Sequence, residues 1–158
     1  MAFDFTGRRA LVAGGSRGIG RSIALAFAQA GAAVSVCARG AAGIARVRAE
    51  LAAHNRPVHA ATCDLGEATA IARYIEEAAA ALGGSDVLIN NASGFGLTND
   101  EAGWAASVEV DLMATVRASE AALRTSSSPP PRRSSTHPRS RRCGLRPARR
   151  PTARSRRQ

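Results

Sequence analysis

The chain has 158 residues, 45% apolar and 22% charged, as expected of one soluble globular domain and not of a membrane or fibrous protein. No apolar run approaches the ~18 residues of a membrane span, and no basic patch followed by an apolar core marks a secretory leader. Three widely spaced cysteines, Cys37, Cys63 and Cys143, fit neither a disulfide framework nor a zinc site, so a reducing cytoplasm is the expected compartment. The net charge of +10 is segregated: residues 1–123 hold 10 Arg and 12 acids, residues 124–158 hold 12 Arg and no acid, and there is no lysine anywhere.

In chain order, Arg9 to Ala13 is a short apolar strand that ends at glycines. Arg21 to Ala30 reads as a helix, with Ile23, Phe27 and Ala30 at helical spacing and Gly31 as its stop. Ala33 to Cys37 is a second strand, Gly43 to His54 an Ala/Arg-rich helix, Pro57 to Ala61 a third strand, and Glu67 to Leu82 a long helix. Asp86 to Ile89 is a fourth strand, apolar after its first residue, which suits burial on both faces of a parallel sheet. Trp104 to Leu123 is mostly helical. Strands separated by helices imply right-handed βαβ units and an α/β, doubly wound parallel sheet of Rossmann type.

The turn after the first strand, Gly14-Gly15-Ser16-Arg17-Gly18-Ile19-Gly20, opens a helix. Glycines permit positive φ and close approach of a ligand to the backbone, and the free N–H groups of the following helix attract phosphate. The spacing Gly14-x-x-x-Gly18-Ile19-Gly20 resembles the short-chain dehydrogenase/reductase family, with Ala13 where the family usually has Thr. Cys63-Asp64-Leu65 resembles the segment in which the family uses an Asp to hold the adenine ring. Asn90-Asn91-Ala92-Ser93 resembles the family's Asn-Asn-Ala-Gly, and Val108-Glu109-Val110-Asp111-Leu112 the start of the helix that carries its catalytic Asn, with Asp111 at that position. The resemblance covers roughly residues 6–123 and is nearest to the 3-oxoacyl-reductase-like members.

What the resemblance implies is a strand order of 3-2-1-4 and a dinucleotide held by Gly14, Ser16, Arg17, Gly18, Ile19, Gly20, Arg39, Asp64, Leu65, Asn91 and Ala92. The residues also admit plainer readings: Asp64 as a helix N-cap with Glu67 three residues on, the two asparagines as turn residues, and Arg39 as a solvated charge. Ala38-Arg39-Gly40 after the second strand offers no acid for ribose hydroxyls and one Arg for a 2′-phosphate, and Arg17 is a second cation, so NADP is expected over NAD. Tyr74, His54 and His59 are expected in or near helices as structural or surface residues.

The family's hydride transfer to or from a carbonyl or alcohol substrate uses a tyrosine, a lysine four residues later, a serine and the Asn. Here the only tyrosine, Tyr74, is followed four residues later by Ala78, and lysine is absent. The fold is therefore expected to be cut after the fourth strand and its following helix, leaving a marginal, poorly soluble domain without the family's usual homo-oligomer, for which a sharp melt at mesophile temperatures would be contrary evidence. Residues 124–158 carry 12 Arg, 7 Ser and 6 Pro with no aromatic and are expected to be disordered. Such a tail invites non-specific contact with nucleic acid, and a cofactor-binding pseudoenzyme or a non-catalytic nucleic-acid-binding protein is the alternative reading. The tail also has the composition of a GC-rich gene read out of frame. Moving each codon back one base makes Ser134-Ser135-Thr136 compatible with an apolar strand start, Pro138 and Arg139 with serine, Thr152 with tyrosine and Arg156 with lysine, in the family's order. The lost base is expected near the codons for Leu123 and Arg124.

Overall fold

A computed structural model describes residues 3–126. The elements are β1 (Arg9–Ala13), α1 (Gly18–Gln29), β2 (Ala33–Ala38), α2 (Ala41–Ala52), β3 (Val58–Thr62), α3 (Ala68–Leu82), β4 (Val87–Asn90) and α4 (Glu101–Ser107). A π-helical segment (Val108–Met113) follows and runs into α5 (Ala114–Thr125). The four strands form one parallel sheet in the order β3-β2-β1-β4, the order that the resemblance implies.

Alternation along the strands assigns the two faces. Val12, Val34 and Val36 point to one side, where they pack with Ala24 and Ala28 of α1 and Ile44, Val47 and Leu51 of α2. Leu11, Ala13 and Cys37 point to the other, against Ile71, Tyr74, Ile75 and Ala78 of α3 and Ala114, Ala118, Ala121 and Ala122 of α5. The period of two sorts strand residues between layers, and the alanine stripe of α5 allows it to lie close to α3. At the start of the sheet, Asp86 ties β4 to β1: its carboxylate accepts from Arg9 Nε at 2.7 Å and from the Arg9 backbone N–H at 3.0 Å.

The elements depart from expectation in four places. Helix α1 begins at Gly18, three residues before Arg21, because Gly18 and Gly20 of the glycine turn form its first turn. Strand β4 is half-buried and not covered on both faces, since it is the outermost strand beside β1 among the described residues. Asp64 does not cap α3: its Oδ1 accepts from Gly66 N–H at 2.9 Å in a local turn, and Glu67 occupies the cap position without a side-chain bond. His59 lies in β3, with its ring stacked on Tyr74 of α3 at 6.0 Å between centres, and both residues have partners. Ser35 Oγ lies 2.9 Å from His59 Nδ1 and 2.8 Å from the Tyr74 hydroxyl, so the one polar side chain in the middle of β2 is satisfied from two sides.

The expected boundary at Leu123 falls inside α5, whose last residue is Thr125. There Ser85 N–H donates to Thr125 O at 3.2 Å, and Ser126 forms a parallel bridge with Ser85 beside the start of β4. The predicted tail of 124–158 otherwise lies outside the described residues. No helix among the described residues is long and apolar enough to cross a membrane, and none of their His, Cys, Asp and Glu residues cluster as a metal site.

Candidate functional site: a cleft at the strand ends

In a parallel sheet of order 3-2-1-4, successive crossovers leave β1 in opposite directions, and a crevice opens at the carboxyl ends of β1 and β4. A cleft of about 700 Å³ lies there. Its floor is the glycine turn. Gly14 has φ +84° and Gly18 φ +54°, conformations that favour glycine. The N–H groups of Gly14 and Gly15 both donate to Cys37 O, at 2.9 and 3.0 Å, which fastens the turn to the end of β2.

Close packing explains the other glycines. A Cβ on Gly20 would stand 2.2 Å from Gly14 O and 2.5 Å from Asn91 Nδ2, while a Cβ on Gly14 would meet the Ala92 backbone at 2.8 Å. Above Gly18 the space is open. No side chain caps the N-terminus of α1, so its first N–H groups face the cleft without a protein side chain bonded to them. That arrangement suits an anion brought close to the backbone, and the cradle fits a dinucleotide's pyrophosphate.

Ten of the eleven cofactor residues expected from sequence line this cleft: Gly14, Ser16, Arg17, Gly18, Ile19, Arg39, Asp64, Leu65, Asn91 and Ala92. Gly20 lies beneath it as packing. Asn91 also has a structural task. Its Nδ2 donates to Gly14 O at 3.0 Å and its N–H to Ala13 O at 3.0 Å, which pins the glycine turn to the end of β4. Asn90 is exposed and reaches Ser119 Oγ at 3.4 Å.

Asp111 does not line the cleft. It sits in the π-helical segment, and its Oδ1 accepts from Gly94 N–H at 3.0 Å, clamping the loop after β4. A carboxylate can only accept there. That loop brings Phe95, at φ +51°, under the Arg17 guanidinium, 5.6 Å from the ring centre.

Sequence reasoning missed Arg46, Phe95 and Val110, all of which line the cleft. No local motif marks Arg46; a contact between distant segments places it. Helix α2 approaches the glycine turn where a Cβ on Gly43 would lie 3.2 Å from Ser16 Cβ, and Arg46 is one turn further along the same helix. Arg17, Arg39 and Arg46 are all exposed, and none makes an ion pair among the described residues. Three unpaired guanidinium groups about one cleft favour a phosphate-bearing ligand.

Tyr74 is not part of this constellation. It is 2% exposed within α3, and burial, first of all, holds its hydroxyl well above the usual phenol range. A second groove, of about 780 Å³, runs along the outer edge of β3 between α2 and α3. It is walled mainly by alanines and by the Arg73–Glu77 pair, and lacks converging backbone donors of the kind the glycine turn supplies.

The family model described as short chain dehydrogenase matches residues 8–129. The chain belongs to the short-chain dehydrogenase family. Among curated relatives it is 36% identical over 92 residues to an uncharacterized oxidoreductase of Mycobacterium tuberculosis, covering 58% of this chain and 35% of that protein. It is 42% identical over 93 residues to the rhamnolipids biosynthesis 3-oxoacyl-[acyl-carrier-protein] reductase of Pseudomonas aeruginosa, with 57% and 35% covered. Among solved structures, a short-chain alcohol dehydrogenase from Sinorhizobium meliloti superposes with a TM-score of 0.73 at 42% identity, over 79% of this chain and 51% of that one. A short chain dehydrogenase from Burkholderia cenocepacia in complex with NADP superposes with a TM-score of 0.73 at 35% identity, over 77% and 52%. This short-chain dehydrogenase chain thus spans about half the length of the solved relatives and about a third of the curated ones.

Proposed function

We propose that this chain is the cofactor-binding half of an NADP-dependent short-chain oxidoreductase. The observation that carries the reading is the glycine cradle with Arg17, Arg39 and Arg46 about the same cleft, which Asp64 also lines. A bound NADP would supply the hydride carrier. Gly14 to Gly20 would hold its pyrophosphate, Arg39 and Arg17 its 2′-phosphate, and Asp64 and Leu65 its base. A relative crystallised with NADP supports the preference. The reaction of the intact relatives would be hydride exchange with a carbonyl or alcohol carbon. The present chain has no lysine, and its only tyrosine is buried away from the cleft, so it is expected to bind dinucleotide without turnover. Residues 1–123 are in this reading a partial Rossmann domain, and 124–158 the product of a shifted frame.

The test is titration of the purified chain with NADPH and with NADH, followed by cofactor fluorescence. Saturable binding of NADPH that is stronger than that of NADH supports the proposal, and equal or absent binding of both refutes it. Sequencing of the coding DNA from the Leu123 codon onward tests the frame: a single missing base that restores a serine and a Tyr-x-x-x-Lys supports it, and an intact frame refutes it.

A further inference from the structure

Helix α2 sends one arginine into the cleft from its own interior. Arg39 stands between the end of β2 and the start of α2, where a cation beside the cleft is expected from the sequence. Arg46 comes from within the helix, yet it lines the same cleft as Arg39 and the glycine turn, and both side chains are exposed. Helix geometry accounts for this. Side chains of an α-helix lean towards its N-terminus, over the residues three and four positions earlier. For Arg46 these are Gly43 and Ala42, which leave room for the arginine stem. Arg46 lies five residues past Ala41, the first residue of α2, a rise of about 7.5 Å that an extended arginine can span.

Nothing of opposite charge detains the guanidinium on the way. The first turn of α2 holds no acid. Glu50, one turn beyond Arg46, is engaged elsewhere: its Oε2 accepts from Arg21 Nε of α1 at 2.6 Å. Arg46 itself makes no ion pair among the described residues. Arg48, two residues further along, lines the other groove, beside β3, together with Arg73 and Glu77. The same helix thus presents one exposed arginine to each groove, and the one at position 46 shares its cleft with Arg39.

We infer that Arg46 is a specificity-determining residue of the cleft, which joins Arg39 on the 2′-phosphate of the dinucleotide and so sets the preference for the phosphorylated cofactor. The inference rests on the reading of the cleft as a dinucleotide site and adds the side chain, supplied by α2, that reads the extra phosphate. A phosphate monoester carries nearly two negative charges and three acceptor oxygens, enough for more than one guanidinium fork. A dinucleotide with a free 2′-hydroxyl offers Arg46 no charge to neutralise. The contribution of Arg46 therefore falls on one cofactor and not on the other.

Position, and not the total charge of the domain, is the substance of the inference. Arg46 and Arg48 carry the same charge on the same helix, and both are exposed. Exposed charges more than about 10 Å apart are largely screened at 0.1 M salt. Removing Arg48 alters the net charge as much as removing Arg46 does, but takes nothing from the cleft. Lysine at position 46 would keep the charge and lose the planar fork, so it is expected to recover only part of the effect.

The experiment titrates the full chain and its Arg46→Ala, Arg46→Lys and Arg48→Ala variants with NADPH and with NADH at about 0.1 M salt, where that screening holds, following cofactor fluorescence. Alanine is at least as good a helix former as arginine, so thermal melts of the alanine variants are expected to match the parent. Arg46→Ala is expected to weaken NADPH binding about fivefold, the loss of one exposed charge-assisted contact, and to leave NADH binding unchanged. Arg46→Lys falls between that variant and the parent, and Arg48→Ala leaves both affinities as they are. Equal weakening of both cofactors by Arg46→Ala, no weakening of either, or an equal loss in Arg48→Ala overturns the assignment of Arg46 while the dinucleotide reading stands. A parent chain that binds neither cofactor overturns the dinucleotide reading, and the assignment falls with it.

Discussion

Gly20→Ala sets two opposed effects against each other. Gly20 lies in the first turns of α1, and replacing a helical glycine by alanine ordinarily stabilises by about 1 kcal/mol. Here the new Cβ would stand 2.2 Å from Gly14 O and 2.5 Å from Asn91 Nδ2. The first neighbour is backbone in a turn fixed by two hydrogen bonds to Cys37 O, and the second is the side chain that holds that turn to β4. Neither can move without breaking the link between β1, β2 and β4. Overpacking of this kind typically costs 1–3 kcal/mol, and loss of the Asn91 bond adds about 1 kcal/mol. The net expectation is destabilisation by about 2 kcal/mol, a fall of roughly 5–10 °C in a domain of this size. Far-UV circular dichroism melts of the parent, Gly20→Ala and Gly43→Ala would measure it. Gly43 is the control: it is also helical, but its Cβ would lie 3.2 Å from Ser16 Cβ and 3.4 Å from Ser16 Oγ, a tight contact that a shift of a few tenths of an ångström relieves. Its expected change is much smaller. A Gly20→Ala protein as stable as the parent would refute the reasoning that packing, and not only backbone freedom, demands glycine there.

Arg39→Ala is expected to weaken NADPH binding about fivefold, from roughly 1 kcal/mol for an exposed charge-assisted contact, and to leave NADH binding unchanged in the same fluorescence titration. Asp86→Ala leaves the Arg9 guanidinium and the β1–β4 junction without the carboxylate that joins them, and is expected to cost about 2 kcal/mol in urea unfolding. Burial, the largest cause, lowers the His59 pKa below its ordinary value of 6.5. The unfolded chain then takes up the proton first, so the His59 contribution is complete above pH 6.5 and is lost as pH falls towards the lower folded value. Urea midpoints at pH 7.5 and 5.5 should differ less in His59→Gln than in the parent; an equal difference in both would dismiss His59 as the cause.

What could be read from the sequence was what depends on local pattern. The four strands and the βαβ order follow from short apolar runs alternating with helical spacing, and the strand ends fall within one residue of expectation. The glycine turn was legible because a strand, a glycine cluster and a helix occur in sequence. Three features resisted because they depend on contacts between distant segments. Asp64 reads as a cap by its spacing to Glu67, but the chain turns at Gly66 and starts α3 after Glu67. The partners of Tyr74 and His59 converge on Ser35 from positions 39 and 24 residues away, a meeting that only the register of β2 and β3 brings about. Arg46 enters the cleft because Gly43 lets α2 pass close to Ser16, and no local motif announces that approach.

The same contrast bears on the proposed separation of dinucleotide binding from turnover. The groups proposed to hold the dinucleotide come from the ends of the strands, the loops after them and the starts of α1 and α2, and they are mutually braced: Cys37 O holds Gly14 and Gly15, Asn91 holds Gly14, and Asp111 holds Gly94. All of these braces lie within the described residues. Acid–base chemistry is different, because it requires a titratable group within hydrogen-bond reach of the reacting atom. The described part of the chain places an acceptor-only carboxylate, Asp111, against a backbone amide and sends its sole tyrosine into the core. The bridge between Ser85 and Ser126 sets the chain beside the start of β4, the side on which further sheet would be added. If the proposed frame shift is right, restoring the frame is expected to change turnover without changing how the dinucleotide is held, because each brace of the cradle lies before Leu123 in the chain.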